Sequence, residues 1–143
     1  MDRAEEIELV TSVALQLCKK ELESTKQFVS CGAALGPNRN MELIRPKSTQ
    51  ATEIEKYVEF WTGHLQKFAA KQASRVLVWW LNAKLVHDDC TINVVSMHLE
   101  HIDGATLELR IPYAEGPDGE ISFGEPIEEA GPKRYLYIQG PIR

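Results

Sequence analysis

The chain has 143 residues, 43% of them hydrophobic and 26% charged, with a formal net charge of −5. That composition excludes collagen-like, disulfide-scaffold and low-complexity classes, and the length fits one α+β domain over 1–143, large enough to bury a core without a metal or disulfide. The longest uninterrupted apolar run, Val76 to Leu81, is far too short for a membrane-spanning helix. The N-terminus, Met1-Asp2-Arg3-Ala4-Glu5-Glu6, is acidic where a secretory signal is basic, so a cytoplasmic location is expected. Lys and Arg are interleaved with Glu, as in Lys19-Lys20-Glu21, so no basic patch for nucleic acid forms. Cys18, Cys31 and Cys90 have no paired-ligand spacing and read as three reduced thiols, two of them facing the core.

Asp2 and Glu5 have capping-box spacing ahead of Ile7, Val10, Ala14, Leu17 and Cys18, which predicts a helix over 3–26. Phe28–Leu35 and Met41–Arg45, separated by Gly36-Pro37-Asn38, predict a β-hairpin. Thr52 with Glu55 and the apolar series Ile54, Tyr57, Val58, Trp61, Leu65, Phe68 and Ala69 predict a second helix over 50–72. Gly63 interrupts that helix and is expected to mark a close approach to the sheet. From Arg75 the period changes from 3.6 to 2, predicting strands near 75–86, 91–101, 105–113, 120–124 and 134–138. Glu125 to Lys133 reads as an acidic surface loop, and Pro112 as a strand end or edge. The fold class is therefore α+β, in the order α-β-β-α-β-β-β plus short C-terminal strands, with two helices packed on one face of a largely antiparallel sheet.

The turn at Ile102-Asp103-Gly104 fixes a register. A two-residue loop would set Leu99 against Glu108 and Met97 against Arg110. A three-residue loop with Gly104 left-handed pairs Leu99 with Leu107, Met97 with Leu109 and Val95 with Ile111, and places His98 opposite Glu108. The preceding strand is apolar on both faces at its start. Leu77, Trp79 and Leu81 are expected to meet the helices, leaving Val76, Val78 and Trp80 as an apolar area beside His98, Glu100 and Arg110. That area must be covered by the chain's own C-terminus or first hairpin, or by a partner.

Candidate chemistry is sparse. His98, Glu100 and His101 are the densest group of possible ligands, but on a strand His98 and Glu100 share a face while His101 points the other way, which disfavours one metal ion. Cys31 with His98 and Glu100 could form a thiol site, although nothing in the sequence brings them together. His87-Asp88-Asp89 reads as a solvated hairpin tip, and no phosphate-loop pattern occurs. The expected function is a non-enzymatic interaction module that self-associates through Val76, Val78 and Trp80. An acidic inhibitor or immunity-type protein for a basic partner, and a small enzyme using His98, Glu100 and Arg110, are the alternatives. No cofactor, metal, nucleic acid or membrane is expected; a homo-oligomer or a protein partner is.

The element order over roughly residues 3 to 113 is similar to that of the roadblock and longin type of profilin-like domain. Those are small modules that commonly dimerise or act as adaptors, so the resemblance implies binding in preference to catalysis.

Overall fold

Helix α1, Arg3–Thr25, starts where the Asp2 side chain accepts a hydrogen bond of 2.9 Å from the Glu5 amide. It ends at Lys26, whose φ of 68° is left-handed and whose amide closes the last turn on the Leu22 carbonyl. Strands β1, Cys31–Leu35, and β2, Met41–Ile44, form the first hairpin, and α2 spans Ile54–Gln72. Then come β3, Val76–His87, β4, Cys90–His101, β5, Thr106–Glu115, β6, Ile121–Phe123, and β7, Ile127–Glu129. This computed structural model describes residues 2–27, 29–45, 54–72, 74–129 and 134–137. The α+β class and the element order are those expected. Residues 50–53 of the expected second helix, Thr52 of its cap, Phe28 and Ile138 lie outside the described residues.

All strand pairs are antiparallel, in the order β2-β1-β3-β4-β5-β6, with β7 also on β5. The β4–β5 register pairs Leu99 with Leu107, Met97 with Leu109, Val95 with Ile111 and His98 with Glu108, as the three-residue loop requires. Gly104 has φ +116° in that loop. At the other end of β4, Asp88 and Asp89 carry φ of 47° and 66°, so the β3–β4 link is a two-residue turn of the mirror-image type that matches strand twist. β1 pairs with β3 only as far as Trp80, and β5 with β4 only as far as Val94. The distal part of the β3–β4 hairpin therefore projects as a two-stranded ribbon, on which Val86 is 77% exposed.

The helices do not share a face. Val10, Ala14, Cys18 and Leu22 of α1 pack on Val76, Val78, Trp80, Val95, Met97 and Leu99. Trp61 and Leu65 of α2 pack on Leu77, Trp79, Leu81 and Ala34 of the opposite face. The cause lies in β3: a strand with large apolar side chains at odd and even positions alike needs cover on both sides, as in sheets buried between layers. The expected single helical layer is replaced by α-β-α layering.

Three further local expectations change. β5 runs through Pro112 to Glu115. The Pro112 carbonyl accepts from the Gly124 amide on the outer side, and the missing amide of Pro112 faces that same side, where the neighbour changes from β7 to β6. The acidic segment expected as loop contains β7, all three residues of which are exposed, so no alternation betrays it. Conversely, residues 134–137 form no strand.

Gly63 faces outward, and a Cβ there would meet nothing within 4 Å. The close approach is made instead by Gly32, where a Cβ would lie 2.6 Å from Cζ3 of the fully buried Trp61. Trp61 Nε1 donates to Ser30 Oγ at 2.9 Å, and Ser30 donates in turn to the Trp80 carbonyl at 2.7 Å, so the indole N–H is tied through Ser30 to β3. Gly32→Ala is accordingly expected to destabilise the fold by about 1–3 kcal/mol through overpacking, whereas Gly63→Ala is expected to stabilise it by up to about 1 kcal/mol. Urea unfolding of the two variants in dilute protein solution should move the midpoint in opposite directions.

Candidate functional site

The densest polar cluster lies on the α2 face, at the ends of β4 and β5. Pairing of Trp79 with His98 and of Leu77 with Glu100 puts both polar residues beside the odd-numbered apolar residues of β3. They therefore do not border Val76, Val78 and Trp80, which are 0%, 0% and 1% exposed beneath α1 and offer no surface to a partner. The cover foreseen from the C-terminus or first hairpin comes from α1.

His98 and Glu100 are 2% and 0% exposed. His98 Nε2 lies 2.7 Å from Glu100 Oε2, and its Nδ1 is hydrogen-bonded to Glu108 Oε1. One ring face of His98 is stacked on Tyr135 at 4.2 Å, with 15° between the planes. The Glu100 carboxylate also accepts the amides of Tyr135, Leu136 and Tyr137 at 2.7, 2.8 and 3.1 Å. Arg134 Nε lies 3.9 Å from it. Arg110 Nη1 reaches Glu108 Oε2 at 3.3 Å. Burial opposes charge on His98, but bonds to two carboxylates outweigh it and hold the imidazole above its ordinary pKa. Burial likewise opposes the Glu100 anion and is outweighed by His98 and the three amides, so its pKa falls. Glu108, also burdened by burial, is lowered by His98 and Arg110.

This geometry defines what the cluster does. Both imidazole nitrogens are engaged and one ring face is covered, so His98 has no lone pair for a general base. Glu100 fixes the segment 134–137 across the sheet through three consecutive amides. Around that anchor, Trp79 Nε1 donates to Tyr135 Oη at 3.0 Å, Gln66 Nε2 to the Tyr135 carbonyl at 2.8 Å, and Tyr137 Oη to the Ser74 carbonyl at 2.8 Å. Leu136 is fully buried among Trp61, Leu65, Leu77 and Trp79. A cleft of about 160 Å³ remains where Ser96, Glu108 and Arg110 meet His98 and Tyr135.

A second cluster ties α1 to the sheet. Arg75 donates to both oxygens of Glu6, at 2.6 and 3.1 Å, and His101 Nε2 lies 2.8 Å from Glu6 Oε1. The Arg75 bond, working against burial and aided by His101, holds the Glu6 carboxyl below its usual range. His101 and His98 thus serve opposite faces, as strand alternation demands. Glu6 was missed as a site residue although it stands four residues before Val10 on the buried stripe of α1, which is the signal that could have found it. Glu108 entered only as the partner of His98 in the register, and no sequence signal announces that backbone amides of 135–137 complete the site.

Cys31 pairs with Trp80 and lies on the α1 face, so the sheet separates it from His98 and Glu100. Burial pushes its thiol up, as it does that of Cys18. No thiol site forms from these residues. Among the described residues, no three His, Cys, Asp or Glu side chains are arranged to hold a metal ion, and no helix is long and apolar enough to cross a membrane. Comparison with family models, curated proteins and solved structures finds no match for the chain.

Removing Glu100 would leave a buried imidazolium short of one partner and three buried amides without an acceptor. Glu100→Ala is therefore expected to cost about 3–5 kcal/mol in urea unfolding, and limited proteolysis should then cut near 134–137. Linkage gives a second expectation. Stability from the lowered carboxyls of Glu6, Glu100 and Glu108 is present above their ordinary value near 4.5 and is lost as pH falls through the folded values. Stability from the raised imidazole of His98 is complete below its ordinary 6.5 and is lost as pH rises through the folded value. Urea midpoints should peak between those limits, and His98→Phe should flatten the alkaline limb.

Proposed function

We propose that this chain is a protein-interaction module that self-associates, and not a catalyst. The observation that carries this reading is the saturation of the one catalytic-type constellation among the described residues: His98 and Glu100 spend their hydrogen-bonding capacity inside the chain, on Glu108 and on the amides of 135–137. Arg110, the third member of the expected enzymatic cluster, is held by Glu108. The surface offers contact area instead. The β3–β4 ribbon extends past both neighbouring strands with Val86 and Ile92 exposed, and the outward side of α2 carries Phe60 and His64 along an open groove. Because both sheet faces carry a helix, association through Val76, Val78 and Trp80 gives way to association through helix or ribbon.

A second reading, an acidic module for a basic partner, has its own supporting observation. Glu125, Glu128 and Glu129 on and beside β7 are exposed, and Glu129 stands directly opposite Glu108. Among the described residues no cation pairs with any of the three. Charged side chains also blunt an edge strand against unwanted pairing, which is why this reading ranks second.

Light scattering over a range of concentrations tests both. Self-association is expected to give a mass approaching twice the chain's 16.2 kDa, and a mass of 16.2 kDa at every concentration would overturn it. Salt-sensitive binding of a polylysine probe that Glu128→Lys with Glu129→Lys abolishes, by such a monomer, would establish the acidic reading in its place.

A further inference from the structure

Gly63 sits in the interior of α2 on the side turned away from the sheet, and among the described residues nothing lies within 4 Å of where its Cβ would be. Glycine there is unfavourable for the helix, and no described residue packs against it. Around it, Lys56, Glu59, Phe60, His64 and Lys67 line a groove of about 680 Å³. The wall of that groove is firm: Phe60 stacks on His64 at 4.2 Å and meets Trp61 edge-on at 5.0 Å, so it is braced against the fully buried indole.

The charges along the groove select an occupant. Glu59 stands four residues before Gly63 and Lys67 four residues after it. In a two-fold antiparallel pair of α2 helices crossing at Gly63, each Glu59 meets the partner's Lys67, and the same contact occurs twice. Sliding the pair so that Lys56 faces the partner's Lys67 would oppose like charges. Among the described residues neither Glu59 nor Lys67 has an ionic partner within the chain. The bare Cα of Gly63 lets the two backbones approach at the crossing, where contact side chains set the distance between axes. Such an interface is isologous, as a closed dimer requires.

We infer that a second copy of this chain docks antiparallel on the outward face of α2, with Gly63 at the two-fold axis and Glu59 paired with the partner's Lys67. This rests on the self-associating reading above and names its surface. The test uses the full chain: sedimentation or light scattering gives the dimer dissociation constant for wild type, Glu59→Lys, Lys67→Glu and the double swap. Each single substitution creates two like-charge contacts per dimer and is expected to weaken it by about tenfold or more, whereas the double swap restores the wild-type constant to within about threefold. Gly63→Leu, placed where a Cβ meets nothing within 4 Å, is expected to give a folded monomer by circular dichroism and mass. A dimer indifferent to these changes would overturn the α2 surface and leave the self-associating reading standing. A double swap that fails to restore dimerisation would overturn the charge pairing. A wild-type monomer at all concentrations would overturn both.

Discussion

The arrangement of this chain depends on a strand that is apolar on both faces. In β3, Val76, Val78 and Trp80 alternate with Leu77, Trp79 and Leu81, and all six are buried. At about 25 cal/mol per Å² of apolar surface removed from water, leaving either set of three exposed would forfeit several kcal/mol, comparable to a small domain's whole stability. The chain meets this demand with two amphipathic helices, one per face. That is what puts α1 and α2 in different layers. Gly32 and Ser30 follow from the same demand. Trp61 can reach the sheet only where the strand beneath it has no Cβ, and its buried N–H needs the acceptor that Ser30 Oγ supplies.

Burial on the α2 face would nonetheless be incomplete without the segment 134–137, which pairs with none of the described strands. A segment lacking a ladder must satisfy its amides otherwise, and the Glu100 carboxylate takes three of them at once. The carboxylate is tolerable in the core because His98 and Arg134 stand beside it and because nearly all of its acceptor capacity is used. His98 in turn is tolerable because Glu108 occupies its second nitrogen. The chain of dependence thus runs from surface to core: Arg110 steadies Glu108, Glu108 steadies His98, His98 steadies Glu100, and Glu100 holds the strap whose Leu136 closes the apolar cluster. Residue types suited to acid–base chemistry are here employed in packing a tail.

Much of this is legible in the amino-acid sequence. Asp2 as a cap, the apolar spacing of both helices, and the three-residue loop at Ile102-Asp103-Gly104 follow from local rules, and the loop carried the β4–β5 register with it, His98 against Glu108 included. Strand alternation also separated His98 and Glu100 from His101. What local rules could not supply was which helix meets which face of β3, because periodicity reports that a face is apolar and not what lies on it. The same blindness misplaced the close-approach glycine, since Gly63 in a helix and Gly32 in a strand look alike until the two elements are brought together. β7 escaped for another reason: three exposed residues held only by pairing with β5 have no hydrophobic pattern to read. The anchoring of 135–137 lies wholly in backbone amides, which every residue carries.

The glycine at a helix contact, Gly32, has an internal reason written in the distance to Trp61. Among the described residues nothing meets a Cβ at Gly63, and it lies beside the charged Glu59 and Lys67 and the Phe60–His64 stack on α2. A helix interior disfavours glycine, and in the dimer we infer, the second chain offsets that cost. A neighbouring backbone does so most directly, because close helix approach is the use for which a missing side chain is specific. The oppositely charged residues flanking Gly63 at equal spacing make another α2 the fitting neighbour, since only a self-complementary surface turns one Glu and one Lys into two pairs.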